Sequence, residues 1–131
     1  MNDSSIGAGS GATFDLLVQN GSLLSSTSPA DTRDIGATVI VLEVTGAGST
    51  IGTAATPLEI NSPTGIAGAR VDAKTAGGAN DPLFLRDTSD NFPVGSIDAG
   101  AATVTLRTTA GAILDANGGS LNINATAAAL S

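Results

Sequence analysis

Apolar residues in this chain come in short alternating runs that recur every 8 to 12 residues, each bounded by Gly, Asn, Asp, Ser or Pro. Phe14-Asp15-Leu16-Leu17-Val18, Leu23-Leu24, Val39 to Val44, Leu58-Glu59-Ile60, Leu83-Phe84-Leu85, Val94-Gly95-Ser96-Ile97, Val104-Thr105-Leu106 and Leu121-Asn122-Ile123 are the clearest. Alternation over so few residues is the pattern of a short half-buried β-strand. No apolar stripe persists at helical spacing, and each of the 17 glycines costs about 1 kcal/mol inside a helix. The spacing therefore predicts an all-β fold.

A longer periodicity overlies the short one. Asp34-Ile35-Gly36-Ala37-Thr38-Val39 parallels Asp98-Ala99-Gly100-Ala101-Ala102-Thr103-Val104, and Gly11-Ala12-Thr13-Phe14 repeats the same entry into a strand. After each longer copy come a strand, a Gly/Ala turn, an isoleucine (Ile51, Ile113) and a two-spaced pair (Leu58 and Ile60, Leu121 and Ile123). The offset of 62 to 65 residues suits about three coils of a β-solenoid, in which each coil buries its apolar face against its neighbours. With about 20 to 25 residues per coil, the chain makes about five or six coils. A β-sandwich also uses regularly spaced strands and is the alternative, but its strands run longer and pack larger residues across two sheets.

Composition supports a thin aliphatic core. Among 131 residues, enough for a single domain spanning 1–131, the aromatics are only Phe14, Phe84 and Phe92. The stretch 63–93 breaks the rhythm with its prolines, Arg70, Arg86 and Lys74, and is expected to be an irregular or looped-out insertion.

Three segments carry a likeness to known proteins. Thr50-Ile51-Gly52-Thr53-Ala54-Ala55-Thr56-Pro57-Leu58-Glu59-Ile60, Val94-Gly95-Ser96-Ile97-Asp98-Ala99-Gly100 and Gly111-Ala112-Ile113-Leu114-Asp115-Ala116-Asn117-Gly118 resemble elements of the filamentous-haemagglutinin-like passenger repeats of large bacterial surface adhesins. The resemblance covers roughly residues 34 to 131. It implies a right-handed parallel β-helix, secreted or exposed at the cell surface, that acts as a stalk or adhesive fibre. Those passengers are very long and carry an export signal. Here Met1-Asn2-Asp3-Ser4-Ser5 has neither the basic nor the apolar region of a signal peptide.

Little reactive chemistry is available. Without His or Cys the chain lacks the commonest general base, the commonest nucleophile and most transition-metal ligands, so no cofactor is expected. Lys74, the one amine, falls in a stretch read as a turn. Paired carboxylates are the remaining enzymatic option, since β-helical proteins can cleave polysaccharides with acids on one face. The candidates are Asp81, Asp87, Asp90 and Asp98, with Arg70 and Arg86 near them in sequence. No Trp or Tyr is present to stack on a sugar, and Asp is common in turns for local reasons, so no catalytic role is assigned. Asp87-Thr88-Ser89-Asp90-Asn91 offers oxygen ligands for Ca²⁺ through Asp87, Asp90 and Asn91, but lacks the EF-hand spacing. Asn2-Asp3-Ser4, Asn20-Gly21-Ser22 and Asn124-Ala125-Thr126 match the glycosylation sequon, as a Ser/Thr-rich chain does by chance.

The net charge of −7 excludes the basic surfaces that nucleic acids require, and no run is long enough for membrane insertion. Two surfaces remain. Phe84, Arg86 and Phe92 form a candidate partner surface within 63–93. Leu121, Ile123 and Leu130 form a candidate self-association edge in a C-terminal segment free of charge and proline. The expected partners are thus copies of the chain itself or the rest of a longer solenoid. The two functional expectations are an adhesin or fibre segment and a subunit that stacks head-to-tail into an extracellular filament.

Overall fold

A computed structural model describes residues 6–25, 33–63, 65–88 and 90–131. These residues contain strands and no helix, because each apolar run ends at a turn before a helix could nucleate. From β1 to β10 the strands alternate along the chain between two sheets. One sheet holds, in spatial order, β1 (Ile6–Gly7), β3 (Ile35–Gly36), β5 (Leu58–Asn61), β7 (Leu83–Asp87), β9 (Thr103–Thr108) and β12 (Ala127–Leu130). The other holds β2 (Thr13–Gln19), β4 (Val39–Thr45), β6 (Arg70–Lys74), β8 (Phe92–Asp98) and β10 (Ile113–Asp115), with β11 (Ile123–Asn124) also paired to β8.

Every pairing among the described strands is parallel. That pattern is incompatible with the antiparallel sheets of the β-sandwich considered above. Each return of the chain to a sheet adds one strand beside the last. Isolated parallel bridges also join Leu23 to Ile51, and Ile51 to Leu83 at the start of β7.

At inward-facing register positions apolar side chains stack on one another. In β4 the pattern alternates, with Ile40, Leu42 and Val44 buried and the residues between them half-exposed. Phe14, Ile40, Val71 and Val94 form one ladder, and Leu58, Leu85, Leu106 and Leu130 another. Full burial of each such side chain contributes about 1.5–3 kcal/mol. Between β6 and β8 a bulge sets Val94 to Ile97 against Val71 to Ala73, and the Ser96 amide there donates to Asp72 Oδ1 at 2.8 Å.

Two expectations change. The stretch 63–93 supplies β6, β7 and the start of β8, all paired in the sheets, so it is not looped out. Arg70, Asp72 and Lys74 alternate with buried Val71 and Ala73, which hides that strand behind charged residues. The 62- to 65-residue repeat does not span three whole circuits either. Val39 opens β4 in one sheet, whereas its counterpart Val104 lies in β9 of the other. Leu58 and Ile60 lie in β5, whereas Ile123 lies in β11 on the opposite sheet. Register offsets between paired strands run from 21 residues (Phe92 to Ile113) to 31 (Val39 to Arg70), so the sequence period carries a segment about half a circuit out of phase.

Candidate functional site

With His and Cys absent, polar chemistry rests on carboxylates, amides, hydroxyls and a few cations, and most of the candidate acids are held by backbone. Asp81 is buried in the β6–β7 connection. Its Oδ1 accepts the Gly48 amide at 2.5 Å and its Oδ2 the Gly78 amide at 2.6 Å. Asp87, at the end of β7, is fully buried, and its carboxylate accepts long hydrogen bonds from the amides of Ser62 and Asp90. Asp98 Oδ1 accepts the Gly100 amide at 3.1 Å and the Asn124 side-chain amide at 2.8 Å. The Asp90 carbonyl accepts the Thr108 hydroxyl at 2.8 Å.

Sequence reading missed further members of the same system. Asp34 Oδ2 accepts the Glu59 amide at 2.9 Å, 25 residues away. Asn91 Oδ1 accepts the Ala112 amide at 2.7 Å, and Asn122 donates to the carbonyls of Val94 and Gly95. The recurrent geometry is a corner Asp or Asn that reaches one circuit away and satisfies a backbone group there. Where the acceptor is an Asp carboxylate the bond is charge-assisted and about twice as strong as a neutral one. The only signal in the sequence is an acid or amide beside a turn, which is also the signal of a local Asx turn.

The calcium candidates Asp87, Asp90 and Asn91 share one turn, and Ser89 lies outside the described residues. Asp87 and Asn91 hold backbone amides as given above, and no group of three or more Asp or Glu residues placed for a metal occurs among the described residues. Asn2-Asp3-Ser4 and the rest of residues 1–5 also lie outside the described residues.

Arg70, Lys74 and Arg86 are paired or flanked by acids, whereas Arg107 stands in register with Arg86. Arg70 Nε donates to Asp72 Oδ2 at 2.8 Å. Lys74, read above as a turn residue, ends β6 and stands in register between Glu43 and Asp98. Arg86 forms an ion pair with buried Glu59, whose register partner it is across β5 and β7.

The candidate partner surface separates. Phe92 is fully buried, the largest such side chain in the core, because a chain with three aromatic residues gains more from enclosing the ring than from displaying it. Phe84 sits half-buried between inward-facing Leu83 and Leu85, and Arg86 is partly exposed beside Glu59. No shared surface joins Phe92 to the other two.

The candidate self-association residues lie at one end of the stack. β12 pairs only with β9, and β10 and β11 only with β8, among the described strands. Ile123 is half-buried, Leu130 is 52% exposed and Leu121, in the β10–β11 connection, is 73% exposed. Val94, Ile113, Leu114, Ile123 and Leu130 line an apolar depression of about 150 Å³ there. Asp115, on its rim, is fully exposed, and its carboxyl is held below its ordinary value by the Asn122 side-chain amide and the Asn117 backbone amide.

Among the described residues no helix is long and apolar enough to cross a membrane. Comparison with protein-family models, with curated protein sequences and with solved structures finds no match to this chain.

Proposed function

We propose that the chain is a right-handed parallel β-solenoid that serves as a structural, non-catalytic segment of an extracellular or cell-surface fibre or adhesin. Parallel strands returning to the same sheet are joined by right-handed connections in about 98% of cases, which supports the handedness. The observation that carries the functional half is the use of the acids. Asp81, one of the four candidate acids, holds Gly48 and Gly78 with both carboxylate oxygens, and Asp34, Asp72 and Asp98 make comparable bonds to other circuits. Carboxylates so engaged favour holding strands together over proton transfer to a substrate. Antiserum against the chain, applied to intact and to permeabilised cells of the source organism, tests the location. Labelling of intact cells is the expected result, and labelling only after permeabilisation refutes the surface assignment. Depolymerisation of a polysaccharide that disappears in Asp87→Ala or Asp90→Ala refutes the non-catalytic half.

A further inference from the structure

The core is complete in the middle of the stack and half-covered at both ends. Fully buried apolar side chains run from Ile35 to Leu106. Partly buried ones flank them, with Phe14, Leu16 and Val18 at one end and Ile113, Ile123 and Ala125 at the other. The backbone edges match this division, since β2 pairs only with β4 and β11 only with β8 among the described strands.

At β11 the two ends also fit one another in register. One ladder runs Leu16, Leu42, Ala73, Ile97, Ile123 through consecutive strands of the same sheet. A strand laid on β11 in that register and presenting Leu16 would continue the ladder, and two positions on, Val18 would meet Ala125. Charge points the same way. The chain carries net −7, yet residues 6–25 contain one charged residue, Asp15, and residues 108–131 one, Asp115. Most of the charge lies between the ends, which are therefore the surfaces where two copies approach with least repulsion.

We infer that two copies of this chain stack end to end, β2 of one adding in parallel to β11 of the next, with Leu16 over Ile123 and Val18 over Ala125. Added strands of this kind gain main-chain hydrogen bonds along with the apolar contact. The contact joins two different surfaces, so it does not close on a pair and propagates as a filament. Because the net charge opposes approach, association strengthens as salt screens it. This deepens the structural reading above and rests on it.

The test uses the chain with Leu16→Lys, the chain with Ile123→Lys, and their mixture, in analytical ultracentrifugation over a concentration series, with circular dichroism to verify folding. The unaltered chain should gain mass with concentration, and more so at high salt. Each variant has lost one end, so each alone stays at the monomer mass. In the mixture the intact end of Leu16→Lys meets the intact end of Ile123→Lys, giving a species of twice the monomer mass that grows no further. An unaltered chain that stays monomeric at every concentration overturns the inference. A Leu16→Lys variant that dimerises alone also overturns it, since the contact is then between like ends. Surface labelling is read independently, so a monomeric but surface-labelled chain sinks the stacking and leaves the structural reading intact.

Discussion

Asp81 and Gly48 are 33 residues apart, and the Gly48 amide donates to Asp81 Oδ1 at 2.5 Å. The bond ties the turn after β4 to the turn before β7. The second oxygen of the same carboxylate closes its own turn on Gly78. One buried side chain thus satisfies a local and a distant amide, neither of which has a sheet partner in its turn. In a stack held by short strands, such bonds fix the corners, where ladder hydrogen bonds stop.

Removing Asp81 should therefore cost more than removing an exposed turn acid. Asp81→Ala leaves two amides without their acceptor and should destabilise the fold by about 3 kcal/mol. Asp81→Asn keeps one acceptor oxygen and should recover part of the loss. Urea unfolding monitored by circular dichroism measures both. An Asp81→Ala midpoint equal to that of the unaltered chain would show the Gly48 contact to be energetically empty.

Gly48 and Gly52 separate backbone strain from steric exclusion. Both have positive φ, +80° and +65°, so any L-residue at either place meets a left-handed penalty of about 1–2 kcal/mol. A Cβ on Gly48 meets nothing within 4 Å, whereas one on Gly52 would lie 2.3 Å from the Phe84 carbonyl oxygen and 2.6 Å from the Leu58 nitrogen. Those are backbone atoms of two strands and cannot move aside alone. Gly48→Ala should fold with a modestly lowered melting temperature. Gly52→Ala should lose at least twice as much stability, and equal losses would mean that the contact relaxes.

Glu59 and Arg86 form a pair in which one partner is buried and the other partly exposed. Arg86→Ala leaves the Glu59 carboxylate buried without its counter-charge, a change that costs about 3–5 kcal/mol when both partners are buried. Partial solvation of Arg86 brings the expected loss to about 2–3 kcal/mol. Glu59→Leu combined with Arg86→Met should restore most of it, because the desolvated charge is then absent. Thermal unfolding of the three chains decides the matter, and a double variant no better than Arg86→Ala contradicts this account.

Much of the strand pattern was legible in the sequence because buried and exposed residues alternate with period two. Val39 to Val44, Leu58 to Ile60, Leu83 to Leu85 and Val104 to Leu106 all fall inside strands. β6 was hidden because Arg70, Asp72 and Lys74 take its outer positions and leave only Val71 and Ala73 to mark the inner face. Pairing was less legible. Register offsets between paired strands vary between 21 and 31 residues with the length of the connections, so a sequence repeat of 62 to 65 residues lands on the wrong sheet. The cross-circuit acids were invisible for the same reason, since the partner of Asp34 or Asp81 is set by a register that no local motif encodes. Phe92 misled because proline and charge near it suggested a surface loop, while its ring is fully enclosed.

Asp115 supplies a test of the edge that the stacking contact uses. Asn122 donates its side-chain amide to Asp115 Oδ1 at 2.9 Å and to the carbonyls of Val94 and Gly95, so one residue joins the exposed turn to β8. The Asn117 amide donates to the same oxygen at 2.8 Å. These donors favour the charged carboxylate, which places its folded pKa below the ordinary 3.8. A depressed acid contributes stability that is present above its unfolded pKa and fades as pH falls through the folded one. The turn should therefore stay ordered at neutral pH and loosen only on acidification below that ordinary value. NMR titration of the Asp115 carboxyl carbon should give a midpoint below 3.8 in the unaltered chain and a higher one in Asn122→Ala, the side chain that lowers it most. An unchanged midpoint in that variant would mean that the Asn122 side chain is not what lowers the Asp115 carboxyl.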